Sequence, residues 1–219
     1  MPKKASGEFV ACMEDVLRVY QRPYDVRFPQ ICLDETSKQL LAETRPVVPM
    51  QPGNPERSDS EYERCGVCSL FLACEPLAGK RFVQARPQRT RQDWAQFVRE
   101  LLDVHYPLAE KVILVMDNLN AHTIGSLYET FEPEVAERLC MRLEIHSTPK
   151  HGSWLNMAEI ELSVLARQCL DRRLPTLEAV QHEVLAWQHE RNQAIVTIDW
   201  RFTTTDARIK LKRLYPVFT

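Results

Sequence analysis

Acidic side chains follow two apolar runs of the sequence and interrupt a third apolar segment. Asp34 lies at the end of the run in PQICLDE, and Asp117 ends the run in KVILVMD. Glu159 and Glu161 lie inside HGSWLNMAEIELSVL. Grouped carboxylates repel one another unless a cation neutralises them, and Mg²⁺ or Mn²⁺ prefers such hard oxygen ligands. Two such ions can activate an attacking water or hydroxyl and stabilise the leaving oxygen of a phosphodiester.

Two buried strands and one amphipathic helix must position these acids. PQICLDE predicts a short buried strand with Asp34 at its C-terminal end, and KVILVMD predicts another that ends at Asp117. Open α/β folds place their clefts at the carboxyl ends of strands. If the two strands are parallel neighbours, the two aspartates converge at one edge of the sheet.

A helical wheel separates the two glutamates of the third segment, at about 100° per residue. The wheel predicts a buried stripe of Leu155, Ala158, Leu162, Leu165 and Cys169. Glu159 falls beside Asn156 and Ser163, on a polar flank. Glu161 falls on the other flank, beside Met157, Val164 and Gln168. The polar neighbours favour Glu159 over Glu161 as a third acid.

Each acid taken alone also has an ordinary structural interpretation. Asp34 fits a turn cap, Asp117 fits a strand-end cap before NLNAH, and Glu159 fits a surface charge. The joint occurrence of all three in one alternating topology favours a metal-dependent nuclease or strand-transfer site instead.

Composition excludes several classes of protein. The chain of 219 residues is long enough for one domain with a large core. No apolar run approaches the roughly 18 residues that span a bilayer, and the first residues lack the apolar stretch of a signal peptide, so a cytoplasmic protein is predicted. Seven cysteines at irregular spacing predict reduced thiols. The net charge of −2 counts against a simple DNA-binding domain, but clustered carboxylates can mask a basic surface.

The order of predicted elements gives an α/β fold. EFVACMEDVLRVY predicts a leading helix, and RCGVCSLFLACEP with KRFVQAR predicts a hairpin. Thr90 predicts the start of a helix with Asp93 at its third position, and helices follow both RLEIHS and Pro175. The predicted divisions are a helix and lead-in over 1–28, a core over 29–175 with a Pro-rich arm at 44–60, and C-terminal helices over 176–219. This layout is that of a ribonuclease-H-like mixed sheet flanked by helices.

Three segments resemble a known family. CLDET, VMDNLNAH and HGSWLNMAEIELSVLARQCL resemble the three acidic motifs of DDE transposases of the mariner superfamily, in its bacterial insertion-sequence branch. The resemblance extends from about Glu8 to Tyr215. It implies that the metal-binding catalytic triad consists of Asp34, Asp117 and Glu159. It also implies that three further side chains orient ligands or contact DNA, namely Asn118, His122 and Asn156, although His122 also fits a helix cap or a core histidine.

The activity that the resemblance implies is cut-and-paste transposition by a DNA transposase catalytic domain. Such enzymes hydrolyse a phosphodiester at each element end and then use the freed 3′-hydroxyl for strand transfer into target DNA. The implied cofactor is Mg²⁺ or Mn²⁺, as two ions. A ribonuclease-H-like nuclease without strand transfer and a non-catalytic DNA-binding or assembly module remain as alternatives.

The implied partners are DNA, both element ends and target, and a second copy of the chain. A homodimer on DNA provides two active sites for two ends, and the Pro-rich arm is a candidate for its contacts. No room precedes Asp34 for a helix-turn-helix region, so a separately encoded DNA-binding half is expected. The implied location is the bacterial cytoplasm, on the nucleoid when DNA is bound, with no membrane partner.

Basic and aromatic residues near the motifs are candidates for DNA contact, because such side chains hold phosphates without reading sequence. The candidates are Arg86, Arg89, Arg91, Lys150, His151, Trp154, Arg172 and Arg173, with Lys210, Lys212 and Arg213 near the C-terminus. Any one of these also fits a solvated surface charge. The PKHGSW group is favoured because it directly precedes the helix of Glu159.

Overall fold

The computed structural model describes residues 6–46, 49–55, 59–117 and 123–216. In this part of the chain, five strands form one mixed sheet: β1 (Gln30–Glu43), β2 (Tyr62–Glu75), β3 (Lys80–Arg86), β4 (Val112–Met116) and β5 (Leu143–Ser147). Their order across the sheet is β3-β2-β1-β4-β5. The hairpin pairs β1-β2 and β2-β3 are antiparallel, whereas β1-β4 and β4-β5 are parallel. A mixed sheet flanked by helices is confirmed.

Helices cover both faces of this sheet. They are α1 (Gly7–Tyr20), α2 (Arg91–Glu100), α3 (Ile124–Tyr128), α4 (Pro133–Met141), α5 (Met157–Leu165), α6 (Leu177–Gln193) and α7 (Thr204–Lys210). Side chains of a strand alternate between the faces, so Ile31 and Leu33 pack in the core with α2, α3 and α4. Cys32 packs in the other core, with α1, α5 and α6. The position of a residue along β1 therefore decides which helices it meets.

β1 is much longer than the sequence predicts, and the prediction that Asp34 ends its strand is wrong. β1 continues to Glu43 because β2 supplies an antiparallel partner for its whole second half, with Asp34 opposite Leu72. The parallel pairing with β4 does end near Asp34, since its last pair is Leu33 with Met116. Asp34 thus marks the point where one ladder stops while the other continues.

The free edge of β3 is covered by side-chain amides of α6. The N–H of Val83 donates to Gln188 Oε1 at 2.7 Å, and the N–H of Arg81 donates to Asn192 Oδ1 at 2.7 Å. Asn192 Nδ2 in turn donates to the carbonyl of Arg81 at 2.9 Å. An edge strand normally presents unpaired backbone groups, and here α6 satisfies several of them.

The predicted start of the helix after Thr90 is confirmed. The N–H of Asp93 donates to Thr90 Oγ1 at 3.1 Å, and the N–H of Thr90 donates to Asp93 Oδ2 at 2.8 Å. This reciprocal capping box satisfies donors that a helix start leaves without intrahelical partners. Local sequence is enough to place this boundary because both partners lie within four residues.

Two predictions from composition can be set against the structure. All seven cysteines lie in the described part of the chain, and each is a free thiol. Among the described residues, no helix is both long enough and apolar enough to cross a bilayer. The Pro-rich arm contains, where it is described, one isolated bridge between Gln51 and Asn54 and no helix or longer strand.

Candidate active site

Two aspartates follow the last residue pair of the parallel ladder between β1 and β4. β1 and β4 are parallel neighbours, as predicted, and the last pair of their ladder is Leu33 with Met116. The next residue on each strand is an aspartate, Asp34 on β1 and Asp117 after β4. Neighbouring parallel strands therefore bring both carboxylates to one edge of the sheet, at the kind of position where open α/β folds form clefts.

The environment of Asp34 shows that a third carboxylate is close. Burial raises the pKa of Asp34 to about 7, and the N–H of Glu35, which donates to Asp34 Oδ1 at 2.8 Å, opposes the shift. The charges of Asp117 and Glu159 raise the pKa further. Asp34, Asp117 and Glu159 (the acid site) thus interact electrostatically although they lie far apart in sequence. Their role as metal ligands stays a prediction.

Asn156 fixes the start of the helix that carries Glu159. Its side chain accepts the N–H of Ala158 at 3.1 Å and so caps α5. Its Nδ2 also donates to the carbonyl of Leu33, directly before Asp34, at 2.9 Å. Asn156 is fully buried, and these contacts fit the orienting role predicted for it. Its role toward ligands or DNA stays a prediction.

Glu161 points into a different environment. Arg81 Nε and Nη2 donate to its two carboxylate oxygens at 2.9 and 2.8 Å, and Arg191 Nη2 donates at 3.2 Å. Burial alone raises the pKa of Glu161, but the hydrogen bonds and charge of Arg81, together with Arg191, hold the pKa below its ordinary value. Arg81, Glu161 and Arg191 form a largely buried group, which we call the ion cluster. Because the two arginines bind both oxygens of Glu161, the second glutamate of α5 has a structural partner.

Sequence reasoning assigned no role to a fourth acid, Glu35. Its side chain is 6% exposed and lies 3.8 Å from Arg89 Nη1. Burial raises the pKa of Glu35 to about 7; Arg89 lowers it, and Asp117 and Asp34 raise it. Strand alternation could have indicated this position, because it places Glu35 on the face of Leu33 and opposite to Asp34.

Arg81 and Arg191 are the other residues that the sequence analysis missed. The alternation in KRFVQAR puts Arg81 on the same face as Val83 and Ala85, all three of which are buried. A buried arginine requires a charged partner, so the pattern signals an ion pair without naming the partner. Glu161 lies 80 residues further along the chain.

The donor atoms of the acid site are of the kind that bind a divalent cation. These donors are carboxylate oxygens, the ligands that Mg²⁺ and Mn²⁺ prefer. Burial, and to a smaller extent the charges of Asp117 and Glu159, raise the pKa of Asp34, and a cation would stabilise its charged form. Within the described residues, no three His, Cys, Asp or Glu side chains are gathered as a ready metal site. The donor atoms of the acid site therefore suit a divalent cation, but the three side chains do not lie close enough together to form a complete coordination site. Two predicted orienting residues, Asn118 and His122, lie outside the described residues.

Some candidates for DNA contact lie at the edge of the sheet that carries the acid site. Lys150 and His151 are exposed in the connection from β5 to α5, and Arg89 reaches Glu35. Trp154 from the same connection is half-buried and packs edge-on against Phe202, with ring centroids 5.8 Å apart. Trp154 therefore belongs largely to the core.

Five further candidates are engaged in ion pairs. Arg86 lies 3.6 Å from Asp93, and Arg91 lies 2.9 Å from Glu129. Arg172 pairs with Glu183. Arg173 pairs with Glu43 and donates to the carbonyls of Asp59, Ser60 and Glu61. Arg173 thus ties together both ends of the Pro-rich arm, which gives it a structural role. Lys210 pairs with Asp206 at 3.3 Å.

The chain is similar to a known family of endonucleases. A family model described as "DDE superfamily endonuclease" matches residues 29–181, more than half of the chain. This range includes all three residues of the acid site. No curated protein sequence matches the chain significantly.

Solved structures of similar fold include complexes of the Mos1 mariner transposase. The paired end complex with Mn has a TM-score of 0.56 at 16% identity, covering 92% of this chain and 66% of that one. The paired-end complex with the left transposon end has a TM-score of 0.57 at 15% identity, covering 98% and 65%. The strand transfer complex has a TM-score of 0.54 at 14% identity, covering 94% and 60%. The likeness confirms the ribonuclease-H-like fold, and the chain spans less than two thirds of these relatives.

Proposed function

Because the chain belongs to the DDE superfamily of endonucleases, we propose that it is the catalytic domain of a DNA transposase. The observation that carries the proposal is the convergence of the acid site. Adjacent parallel strands place two aspartates together, and the charge of a helical glutamate raises the pKa of one of them. The proposed reaction is hydrolysis of a phosphodiester at each element end, followed by strand transfer of the 3′-hydroxyl into target DNA.

The proposed metal ligands are the carboxylates of Asp34, Asp117 and Glu159. Two divalent ions held there, Mg²⁺ or Mn²⁺, would activate the attacking water or 3′-hydroxyl and stabilise the leaving oxygen. The compared Mos1 complex contains Mn, which is a property of that protein. In this chain, Asn156 keeps the start of α5 against β1, so Glu159 stays on the side of the aspartates.

The proposed partner is DNA, both element ends and target. Lys150 and His151 are exposed beside α5, and Arg89 is 54% exposed and lies 3.8 Å from Glu35, which supports a role for these side chains in holding phosphates. We also propose that the chain acts as a homodimer on DNA, with contacts through the Pro-rich arm, and together with a separately encoded helix-turn-helix half. The proposal further assigns the chain to the bacterial insertion-sequence branch and to the nucleoid in the cytoplasm.

A cleavage assay tests the proposed chemistry. The substrate is a supercoiled plasmid that carries the DNA flanking the reading frame, incubated with the chain in Mn²⁺, in Mg²⁺ or in a chelator. We expect metal-dependent strand cleavage that Glu159→Gln abolishes. Wild-type levels of cleavage by Glu159→Gln, or cleavage in the chelator, would contradict the proposal.

A joining assay separates transposition from its alternatives. A labelled donor end with a free 3′-hydroxyl is incubated with target plasmid, with and without the upstream DNA-binding half. Joined product supports a transposase. Hydrolysis without joined product under both conditions would identify a ribonuclease-H-like nuclease, and DNA binding that Asp34→Asn leaves unchanged, without any cleavage, would identify an assembly module.

A further inference from the structure

Arg81 holds α5 through two hydrogen bonds to Glu161 of this helix. Arg81 Nε and Nη2 each reach a different oxygen of Glu161, and both side chains are almost completely buried, at 1% and 2% exposure. Such a fork-to-fork pair has a fixed relative orientation, since both bonds must stay aligned. A rotation of α5 about its axis would break at least one of them.

The anchor itself belongs to the sheet and α6. The backbone of Arg81 is held in β3 by Asn192, through a donated and an accepted hydrogen bond. Arg191, the third member of the ion cluster, extends from α6 and stacks over the ring of Trp187 at 5.4 Å. Glu161 is therefore attached to two elements that are already fixed to each other.

Glu159 lies between two attachments of the same helix. On its N-terminal side, Asn156 bonds to the carbonyl of Leu33 on β1. On its C-terminal side, Glu161 bonds to Arg81 on β3. At about 100° per residue, the directions of Glu159 and Glu161 differ by about 200°, so fixing one side chain fixes the direction of the other.

We propose that Glu161 and Arg81 are positioning residues: their buried pair sets the rotation of α5 and so directs Glu159 toward Asp34 and Asp117. The inference rests on the proposed function. Stability alone gives a weak reason for this cluster, because well-packed apolar residues often replace a buried ion pair without loss of stability. Apolar residues would lack the directional hold of a bidentate pair.

The test replaces the pair by apolar residues of similar size, in the double variant Arg81→Met/Glu161→Leu. We expect it to unfold in a single cooperative urea transition, at a somewhat lower midpoint than the wild type because Arg191, which is 15% exposed, loses its partner Glu161. Binding of Mn²⁺, followed by the electron paramagnetic resonance of the free ion, should weaken at least about tenfold, and cleavage should fall by at least as much. Wild-type Mn²⁺ binding and cleavage in a folded double variant would overturn the inference.

Arg81→Lys provides a second variant if the double variant does not fold. Lysine keeps the charge but lacks the fork, so the positioning role predicts a folded protein with weakened Mn²⁺ binding and slower cleavage. Unchanged Mn²⁺ binding in this variant would also overturn the inference. The matched control is Glu14→Gln, which removes the bidentate pair of Glu14 with Arg208, at 2.8 Å for both bonds, between α1 and α7. We expect this control to bind Mn²⁺ and cleave like the wild type.

Failure of the inference and failure of the proposed function give different results. If the wild type shows no metal-dependent cleavage, or Glu159→Gln cleaves equally well, the proposed function fails and takes the inference with it. If the wild type cleaves and Glu159→Gln does not, while the double variant retains both Mn²⁺ binding and cleavage, the inference alone fails.

Discussion

The acid site and the ion cluster lie on opposite flanks of α5, and the fold treats their carboxylates in opposite ways. In the acid site, burial and neighbouring carboxylates raise the pKa of Asp34 to about 7. In the ion cluster, two arginines hold the pKa of Glu161 below its ordinary value in spite of burial. Burial, with the neighbouring carboxylates, disfavours the ionised form of Asp34, whereas two arginines favour the ionised form of Glu161.

The difference separates carboxylates whose charges repel one another from a carboxylate whose two oxygens are already bound by arginines. Groups with pKa values shifted against their charged form by burial and like charges are concentrated at functional sites, where the fold tolerates their repulsion. A carboxylate with bidentate arginine contacts is satisfied and has no capacity left for a ligand. Four substitutions or conditions can test this contrast.

The largest effect is expected for Asp117→Asn. We expect metal-dependent cleavage to fall at least about a thousandfold, because an amide is a weaker ligand and leaves the developing charge less stabilised. The free energy of unfolding should stay within about 1 kcal/mol of the wild type, since a charge is removed from a repulsive group. Rates on plasmid DNA and urea unfolding measure the two quantities. A large loss of stability would break the contrast between the clusters.

Arg81→Met should have the opposite profile for stability. It leaves buried Glu161 with Arg191 alone, and removing one partner of a buried pair lowers the free energy of unfolding by about 3–5 kcal/mol. Urea unfolding measures this loss. Arg208→Met is the control, because Arg208 is 62% exposed and its pair is expected to contribute much less than the buried one. Equal losses in both variants would show that burial of the ion cluster adds nothing.

Asn156→Ala should have an intermediate effect, because Asn156 connects the helix of both clusters to β1. The substitution removes a helix cap and leaves the carbonyl of Leu33 without its side-chain donor. We expect the free energy of unfolding to fall by about 2–3 kcal/mol, from the combined effects. Asn156→Ser keeps a capping oxygen, introduces no charge and loses the amide donor. If its stability matched that of Asn156→Ala, the cap would have no measurable role.

The smallest effect is expected from acid, and its sign follows from the pKa of Glu161. The folded pKa lies below the ordinary 4.5, so the stabilisation by charged Glu161 is complete above pH 4.5 and is lost as the pH falls through the folded pKa. The difference in unfolding free energy between wild type and Glu161→Gln should therefore shrink on acidification, by at most about 1.4 kcal/mol per pH unit. Urea unfolding at a series of acidic pH values measures it. A constant difference would show that the pKa of Glu161 is the same in both states.

The sequence predicts those features whose partners are near in the chain or repeat with a regular period. The capping box of Thr90 and Asp93 and the apolar run of β4 are examples. The convergence of Asp34 and Asp117 is predictable once the two strands are assumed to be parallel neighbours. The separation of Glu159 from Glu161 follows from helical geometry, and the structure places them accordingly.

Long-range pairing explains what the sequence does not predict. The second half of β1 is a strand because β2, which begins at Tyr62, pairs with it, and no local signal announces this partner. The sequence alone does not distinguish Arg81 from other basic residues, because its partner Glu161 lies 80 residues away in the chain. Glu35 resembles a companion of Asp34 in sequence, yet alternation sends it to the opposite face.

The amide cover on β3 bears on how the chain can be shortened. Gln188 and Asn192 of α6 bond to the backbone of this edge strand, and Gln181 Nε2 donates to the carbonyl of Ala85 at 3.1 Å. A protein ended at residue 175, the predicted limit of the core, would retain the acid site but uncover a strand edge able to recruit other strands. During synthesis the same edge stays uncovered until the ribosome has made α6, which is followed by only α7 among the α-helices described. Once α6 has folded onto β3, it therefore protects this edge against pairing with other strands and also supplies Arg191.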